Sequence, residues 1–227
     1  MTGGGTLDFR GFAADAPERW AGDLAAASGH LAAGGILAYP TETVYGLGTA
    51  CTPEAVSRLQ AFKGREPGKP FLVLVRDPEE VSDLAWTPEA RELARIFWPG
   101  SLTLVLGDPG GTFPPGVRSE SGTVAIRMSP HPLVAALLSG FGAPMTSTSA
   151  NVPGSPAATS GARVLEMVAS LEGGDDVLVL DAGELPESPS STIVDCTGPE
   201  PVVRREGTIP TGRLRCVLPE IHGTTHR

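Results

Sequence analysis

The stretch GILAYPTETVYGLGTACTPEAVSRLQAFKGREPGKPFLVLV, residues 35–75, decides how the chain folds. It opens on GILAY (35–39), a short apolar run that reads as a buried strand. Thr52-Pro53-Glu54 then starts a helix, because Thr is a favoured N-cap, Pro suits the first turn, and Glu complements the positive end of the helix dipole. Val56, Leu59 and Phe62 supply that helix with an apolar face, and FLVLV (71–75) follows as a second strand. A strand, a helix and a strand, with strands apolar on both faces, predict an α/β sheet covered by helices.

The same pattern extends outward. Upstream, residues 17–33 are Ala-rich, with Trp20, Leu24 and Leu31 at helical spacing, and Gly34-Gly35 stops them. The first dozen residues read as loose. Downstream, the TPEA tetrad recurs at 87–90 and opens a helix with Leu93, Ile96 and Phe97 inward; the flanking sequences show no internal repeat. LTLVL (102–106) and TVAIR (123–127) read as strands, then a short helix at 131–139, and PMTSTS (144–149) as a strand with a polar end. Residues 160–171 form a further helix with Ala162, Leu165, Val168 and Leu171 as its stripe. DVLVLD (176–181), STIVD (191–195) and PVVRR (201–205) complete the strands. Their density near 102–127 and after 176 predicts a twisted mixed sheet. One domain over 17–210 is expected, between a flexible segment at 1–16 and a tail at 211–227.

Composition narrows the function classes. The 227 residues are 41% hydrophobic and carry 17 Lys and Arg against 26 Asp and Glu, a net charge of −9. An acidic chain is a poor coat for nucleic acid, although local potential follows nearby charges more than the total. Nothing approaches the roughly 18–20 apolar residues of a membrane span, and the N-terminus lacks the basic start and apolar run of a signal peptide. Cys51, Cys196 and Cys216 are scattered and odd in number, which argues for a reducing compartment and against structural zinc. A cytoplasmic location without membrane contact follows as the expectation. Cys51 has no identified base beside it, His222 and His226 lie in a polar tail that reads as a disordered end rather than a metal site, and no G-x-S-x-G elbow is present.

Three stretches hold candidate chemistry. AFKGREPGKP (61–70) gathers Lys63, Arg65 and Lys69 on a connecting loop. It is either a solvated basic turn or a place where Gly64 and Gly68 let the backbone approach a phosphate. Its spacing is not that of a P-loop. YPTETVYGLG (39–48) puts polar side chains where a buried strand ends, which is where ligands sit in open α/β sheets and equally where an ordinary strand-to-helix turn occurs. MTSTSANVPG (145–154) offers four hydroxyls and an Asn, as ligand contacts or as turn chemistry. Arg127 ends an apolar run and requires a partner; Arg204 and Arg205 end PVV in the same way.

Taken together, AYPTETVYGLG, FKGR, WPGSLTLVL, TVAIRMSPHPL, STSAN and SSTIVD…VVRREG resemble, in that order, the YrdC-like threonylcarbamoyl-AMP synthases over residues 34–210. The family signature K-x-R … S-x-N falls on Lys63, Arg65, Ser149 and Asn151. The resemblance implies a YrdC-like fold with a concave cleft, and condensation of L-threonine, bicarbonate and ATP into threonylcarbamoyl-AMP and pyrophosphate. It also implies Mg2+ carried on the ATP phosphates, a downstream transferase complex that modifies transfer RNA, and weak contact with transfer RNA. By the same resemblance Lys63 and Arg65 are catalytic and face the phosphates, with Lys69 helping. Ser149, Asn151 and Arg205 touch the nucleotide, and Thr41, Arg127, Ser147 and Ser191 hold threonine.

The chain departs from many longer members at Lys69 and Leu74, where those carry Asn and His, and at Ala157, where some carry a hydroxyl. These departures leave room for a paralogue that handles another carbamoyl adenylate or docks RNA.

Overall fold

The computed structural model describes residues 4–13, 17–66, 68–186 and 188–223. In chain order the strands are β1 (Gly5–Asp8), β2 (Ile36–Pro40), β3 (Tyr45–Gly48), β4 (Leu72–Leu74), β5 (Leu102–Gly107), β6 (Thr123–Arg127), β7 (Met145–Ser149), β8 (Val177–Asp181), β9 (Thr192–Asp195) and β10 (Val202–Arg205). They form one sheet in the order β1-β8-β2-β3-β7-β4-β6-β5-β9-β10. Four parallel pairs (β1 with β8, β8 with β2, β4 with β6, β5 with β9) stand beside five antiparallel ones, so the sheet is mixed, as the sequence predicts.

The helices are α1 (Ala21–Ala32), α2 (Pro53–Phe62), α3 (Pro88–Phe97), α4 (Pro132–Phe141), α5 (Gly161–Ala169) and α6 (Thr211–Arg215). The N-caps act as the sequence anticipates. The Thr52 hydroxyl accepts from the Ala55 amide at 3.3 Å and the Thr87 hydroxyl from the Ala90 amide at 3.1 Å, each satisfying a first-turn N–H that has no helical partner.

Strand periodicity divides the core by face. On β2, Ile36 and Ala38 enter one hydrophobic cluster, while Leu37 and Tyr39 enter the other. On β8, Val177 and Val179 point the first way, and Leu178 and Leu180 the second. The first cluster runs beneath the whole sheet, joining Val73, Leu104, Ile126 and Val194 to apolar faces of α2, α3 and α5. The second centres on the β1–β8–β2 side and reaches Met145 of β7 and Leu74 of β4; Leu31 of α1 and Leu133, Leu137 and Leu138 of α4 cover it. Over β5, β6 and β9 that second face has no helical roof among the described residues.

Several expectations are corrected. Residues 4–13 are not loose: β1 adds to the edge of β8, and fully buried Phe9 stacks on Trp20 with ring centroids 5.3 Å apart. The remaining parts of the 1–16 segment lie outside the described residues. The segment 39–48 is a hairpin rather than a turn into a helix, since Tyr45–Gly48 pairs antiparallel with β2. The tail is anchored through residue 223. Leu214 and Ile221 are buried, and the His222 amide and carbonyl bond along β10 to Pro201 and Val203. Ordered His222 pairs with Glu200 at 2.6 Å, and His226 lies outside the described residues. Finally, Ile96 and Leu165 face outward at 41% and 37% exposure; α3 packs through Leu93 and Ala94, and α5 through Val164, Met167 and Val168.

Candidate active site

The unroofed face is the floor of a cavity of about 500 Å³. Alternate side chains supply it: Ala125 and Arg127 from β6, Ser147 and Ser149 from β7, Thr103 from β5, Ile193 from β9 and Arg205 from β10. Their neighbours in sequence (Val124, Ile126, Leu104, Val194) point the opposite way into the core. Small polar residues on this face leave room above the sheet that leucines would fill. Among the described residues three arginines (Arg65, Arg127, Arg205) line the cavity and no Asp or Glu does, although the chain as a whole carries a net charge of −9.

A smaller recess of about 350 Å³ adjoins it and shares Arg65, Thr148, Ser149 and Asn151. The four signature positions therefore meet. Lys63 lines the recess, and its ammonium is already occupied: it donates to the Ser149 carbonyl at 3.1 Å, to the Asn151 carbonyl, and to Asn151 Oδ1 at 3.0 Å. The Ser149 hydroxyl closes this knot on Asn151 Oδ1 at 2.7 Å. Lys63 thus ties the end of α2 to the loop after β7. Burial, and then the neighbouring Arg65, push its pKa down to about 8.

Arg65 lies with Cζ 4.7 Å from the centroid of Phe71. Its donors reach the carbonyls of Lys69 (2.6 Å) and Pro70 (3.0 Å) and the Thr148 hydroxyl (3.2 Å), which sets its plane at the junction of the two recesses. Lys69 lines the recess but is exposed and paired with Glu66 at 2.8 Å. Arg127 is buried; its Nη1 lies 3.3 Å from Glu42 Oε1, and its Nε has no hydrogen-bond partner. A buried donor left unpaired costs about 1–3 kcal/mol, so an acceptor arriving in the cleft is favoured there.

Arg205 enters the cleft and binds the Ser191 carbonyl at 2.8 Å, whereas Arg204 points away to Asp195 at 2.8 Å. An irregularity in the β9–β10 register between Val203 and Arg205 separates the two directions. Burial, with Arg127 nearby, lowers the Arg205 pKa. The Ser191 hydroxyl pairs with Thr103 at 2.9 Å. Thr41 lines the cleft, but its hydroxyl donates to the Val44 carbonyl at 2.7 Å and accepts from the Val44 amide, which closes its own turn.

Of the departures, Ala157 lines the cleft. Leu74 is fully buried in the cluster under α1 and α4 and is absent from the cavity lining. Glu42 belongs to the site although the sequence reading assigned it no role. Among the described residues no group of three or more His, Cys, Asp or Glu is placed to hold a metal, and no helix is long and apolar enough to cross a membrane.

The Sua5/YciO/YrdC family model, described as "Telomere recombination", matches residues 30–207. The chain belongs to this family. Relatives of this Sua5/YciO/YrdC protein include a threonylcarbamoyl-AMP synthase of Bacillus subtilis, 37% identical over 88% of the chain, and a putative threonylcarbamoyl-AMP synthase of Mycobacterium tuberculosis, 39% identical over 89%. The chain spans 57% of the length of the first and 92% of the second. The crystal structure of P. abyssi Sua5 complexed with L-threonine superposes with a TM-score of 0.86 at 33% identity, covering 96% of this chain and 62% of that one. E. coli YciO, at 24% identity and a TM-score of 0.76, shares the fold over 94% of this chain and 100% of its own.

Proposed function

We propose that the protein condenses L-threonine, bicarbonate or carbon dioxide, and ATP into threonylcarbamoyl-AMP and pyrophosphate, as a nucleotidyltransferase. The observation that carries this reading is a cleft lined, among the described residues, by three arginines and no carboxylate, in which buried Arg127 keeps an unpartnered donor. Such a site suits two anions side by side, a carboxylate and a polyphosphate. Relatives named threonylcarbamoyl-AMP synthase, and a neighbour holding L-threonine, support it.

In this reading Arg127 grips the threonine carboxylate, with Ser147, Ser191 and Thr41 around the amino acid. The threonine amine attacks the carbon of carbon dioxide to give a carbamate. A carbamate oxygen then attacks the α-phosphorus, forming a P–O bond as the bond from that phosphorus to the α,β-bridging oxygen breaks and pyrophosphate leaves. Arg65 and Arg205 lie where they would balance the phosphate charge. Ser149 and Asn151 meet the nucleotide, and Lys63 holds their loop in shape. Lys69, released from Glu66, reaches the phosphates from the recess. Among the described residues no Asp, Glu or His lines the cleft, and in this reading rate enhancement rests on positioning and charge.

ATP enters as its magnesium complex, with the ion held by the triphosphate oxygens as part of the substrate. The product is a mixed anhydride, and it suits a downstream transferase that modifies transfer RNA in the cytoplasm. Pyrophosphate release tests the reading: it should require threonine and bicarbonate together. Release that persists without threonine would refute it, and release driven by carbamoyl phosphate instead would mark the paralogous activity.

A further inference from the structure

Glu42 stands behind the cleft, on the turn between β2 and β3, and three elements distant in sequence converge on it. The Ser129 hydroxyl, just past β6, donates to Oε2 at 2.7 Å, and the Ser101 hydroxyl, just before β5, donates to Oε1 at 3.1 Å. Arg127 Nη1 approaches Oε1 at 3.3 Å. The Ser129 oxygen also accepts the His131 amide at 3.2 Å, which directs the serine proton toward Glu42. The backbone beneath is fixed as well, because the Thr41 hydroxyl accepts the amides of Thr43 (3.2 Å) and Val44 (3.3 Å). The carboxylate is therefore held from both sides before any substrate arrives.

A guanidinium has one end-on edge and one side-on edge, the latter made of Nε–H and the nearer Nη–H, which point the same way. Glu42 takes the Nη1 end of Arg127. What remains is the side-on edge, and its Nε is the buried donor without a partner. Glu42 also offsets one positive charge beside Arg205, so that the Arg127 end of the cleft suits a singly charged carboxylate better than a polyphosphate.

Resting on the functional reading above, we infer that Glu42 is a positioning residue. It turns Arg127 so that the side-on edge faces the amino-acid carboxylate, and so sets affinity for the amino acid rather than for the nucleotide. A purely structural cross-link between loops would influence both substrates alike.

The test is turnover of the full chain with each substrate varied in turn. Glu42→Ala should raise the threonine KM by about 10- to 100-fold, the range for losing a charge-assisted contact, and leave the ATP KM within about threefold. The isosteric Glu42→Gln, which keeps an acceptor for one serine, should fall between wild type and Glu42→Ala, and it decides the matter if the alanine variant does not fold. A threonine KM unchanged in both folded variants, or both KM values rising together, would overturn the inference. Calorimetric titration of the wild type with threonine separates the two levels. Absent binding would sink the functional reading and this inference together, whereas wild-type binding with unaltered affinity in Glu42→Gln and Glu42→Ala would sink the inference alone.

Discussion

One face of the sheet is used in two ways. On the β1–β8–β2 side it carries Leu37, Tyr39, Leu178 and Leu180, and α1 and α4 close over them. On the β4–β6–β5–β9 side the same face carries Leu72, Ala125, Arg127, Thr103 and Ile193 and stays open as the cleft. The transition begins at β3, where Gly46 and Gly48 have no side chains, and ends on β7 and β4, whose Met145 and Leu74 still lie under the roof. Tyr39 lies against the two glycines: a Cβ at Gly46 would stand 3.1 Å from its ring, and one at Gly48 would collide with the Thr146 carbonyl oxygen. The opposite face is packed throughout, so the open half still has one continuous core beneath it. The difference shows how an active site arises without a separate domain. Roofing helices end, small side chains such as Thr103, Ala125, Ser147 and Ser149 stand on the face that carries leucines in the roofed half, and charged groups that need partners collect in the space left free.

The comparison can be broken most sharply at Arg65. Arg65→Ala should lower turnover by about 10²- to 10³-fold, as for loss of a preorganised charge in a site of this kind, while the urea midpoint moves little. Near-normal turnover would remove Arg65 from the phosphate role. The roofed half should respond in the reverse sense. Leu37 is fully buried, and Leu37→Ala should destabilise by about 2–5 kcal/mol, with turnover per folded molecule within about twofold of wild type. Loss of activity without loss of stability there would contradict the division.

A subtler test uses the buried ammonium on the open side. Lys63 titrates at about 8 when folded, against about 10.4 for an unfolded lysine. Between those values the unfolded chain binds the additional proton, so this group makes folding more favourable as pH rises from about 8 to about 10. Lys63→Met should flatten that rise by about 1–3 kcal/mol in urea midpoints taken across the window. Parallel curves for the two proteins would mean that the ammonium carries no such burden. The smallest effect belongs to Arg204. It is exposed and paired with Asp195 outside the cleft, so Arg204→Ala should shift stability by less than about 1 kcal/mol and leave turnover unchanged.

The roofed and floor strands were legible to different degrees. β2, β5, β6 and β8 are runs of apolar residues, and α2 and α3 announce themselves through Thr-Pro-Glu caps, so local chemistry sufficed. β3 was hidden because YGLG has two glycines, which disfavour strands locally. They are there for contact with Tyr39 and with β7, and that close approach exists only in the folded sheet. β1 and the segment around Ile221 were missed for a related reason, since each pairs with strands remote in sequence.

Within the site, Arg127 and Arg205 stood out as charges ending apolar strands, and the structure gathers them with Arg65, Ser149 and Asn151. Lys63 was legible as a cation but not as the clasp of the 149–151 loop. Glu42 could not be read at all, because its serine partners lie 59 and 87 positions away.

The most direct measurement is a crystal structure with L-threonine and a non-hydrolysable ATP analogue bound together. The account predicts the threonine carboxylate on the Nε edge of Arg127 and the phosphates against Arg65 and Arg205, all within the single cleft on the open face. Ligands lodged instead in the larger cavity of about 700 Å³ between Gln60, Phe113 and Arg118, with the three arginines untouched, would contradict it.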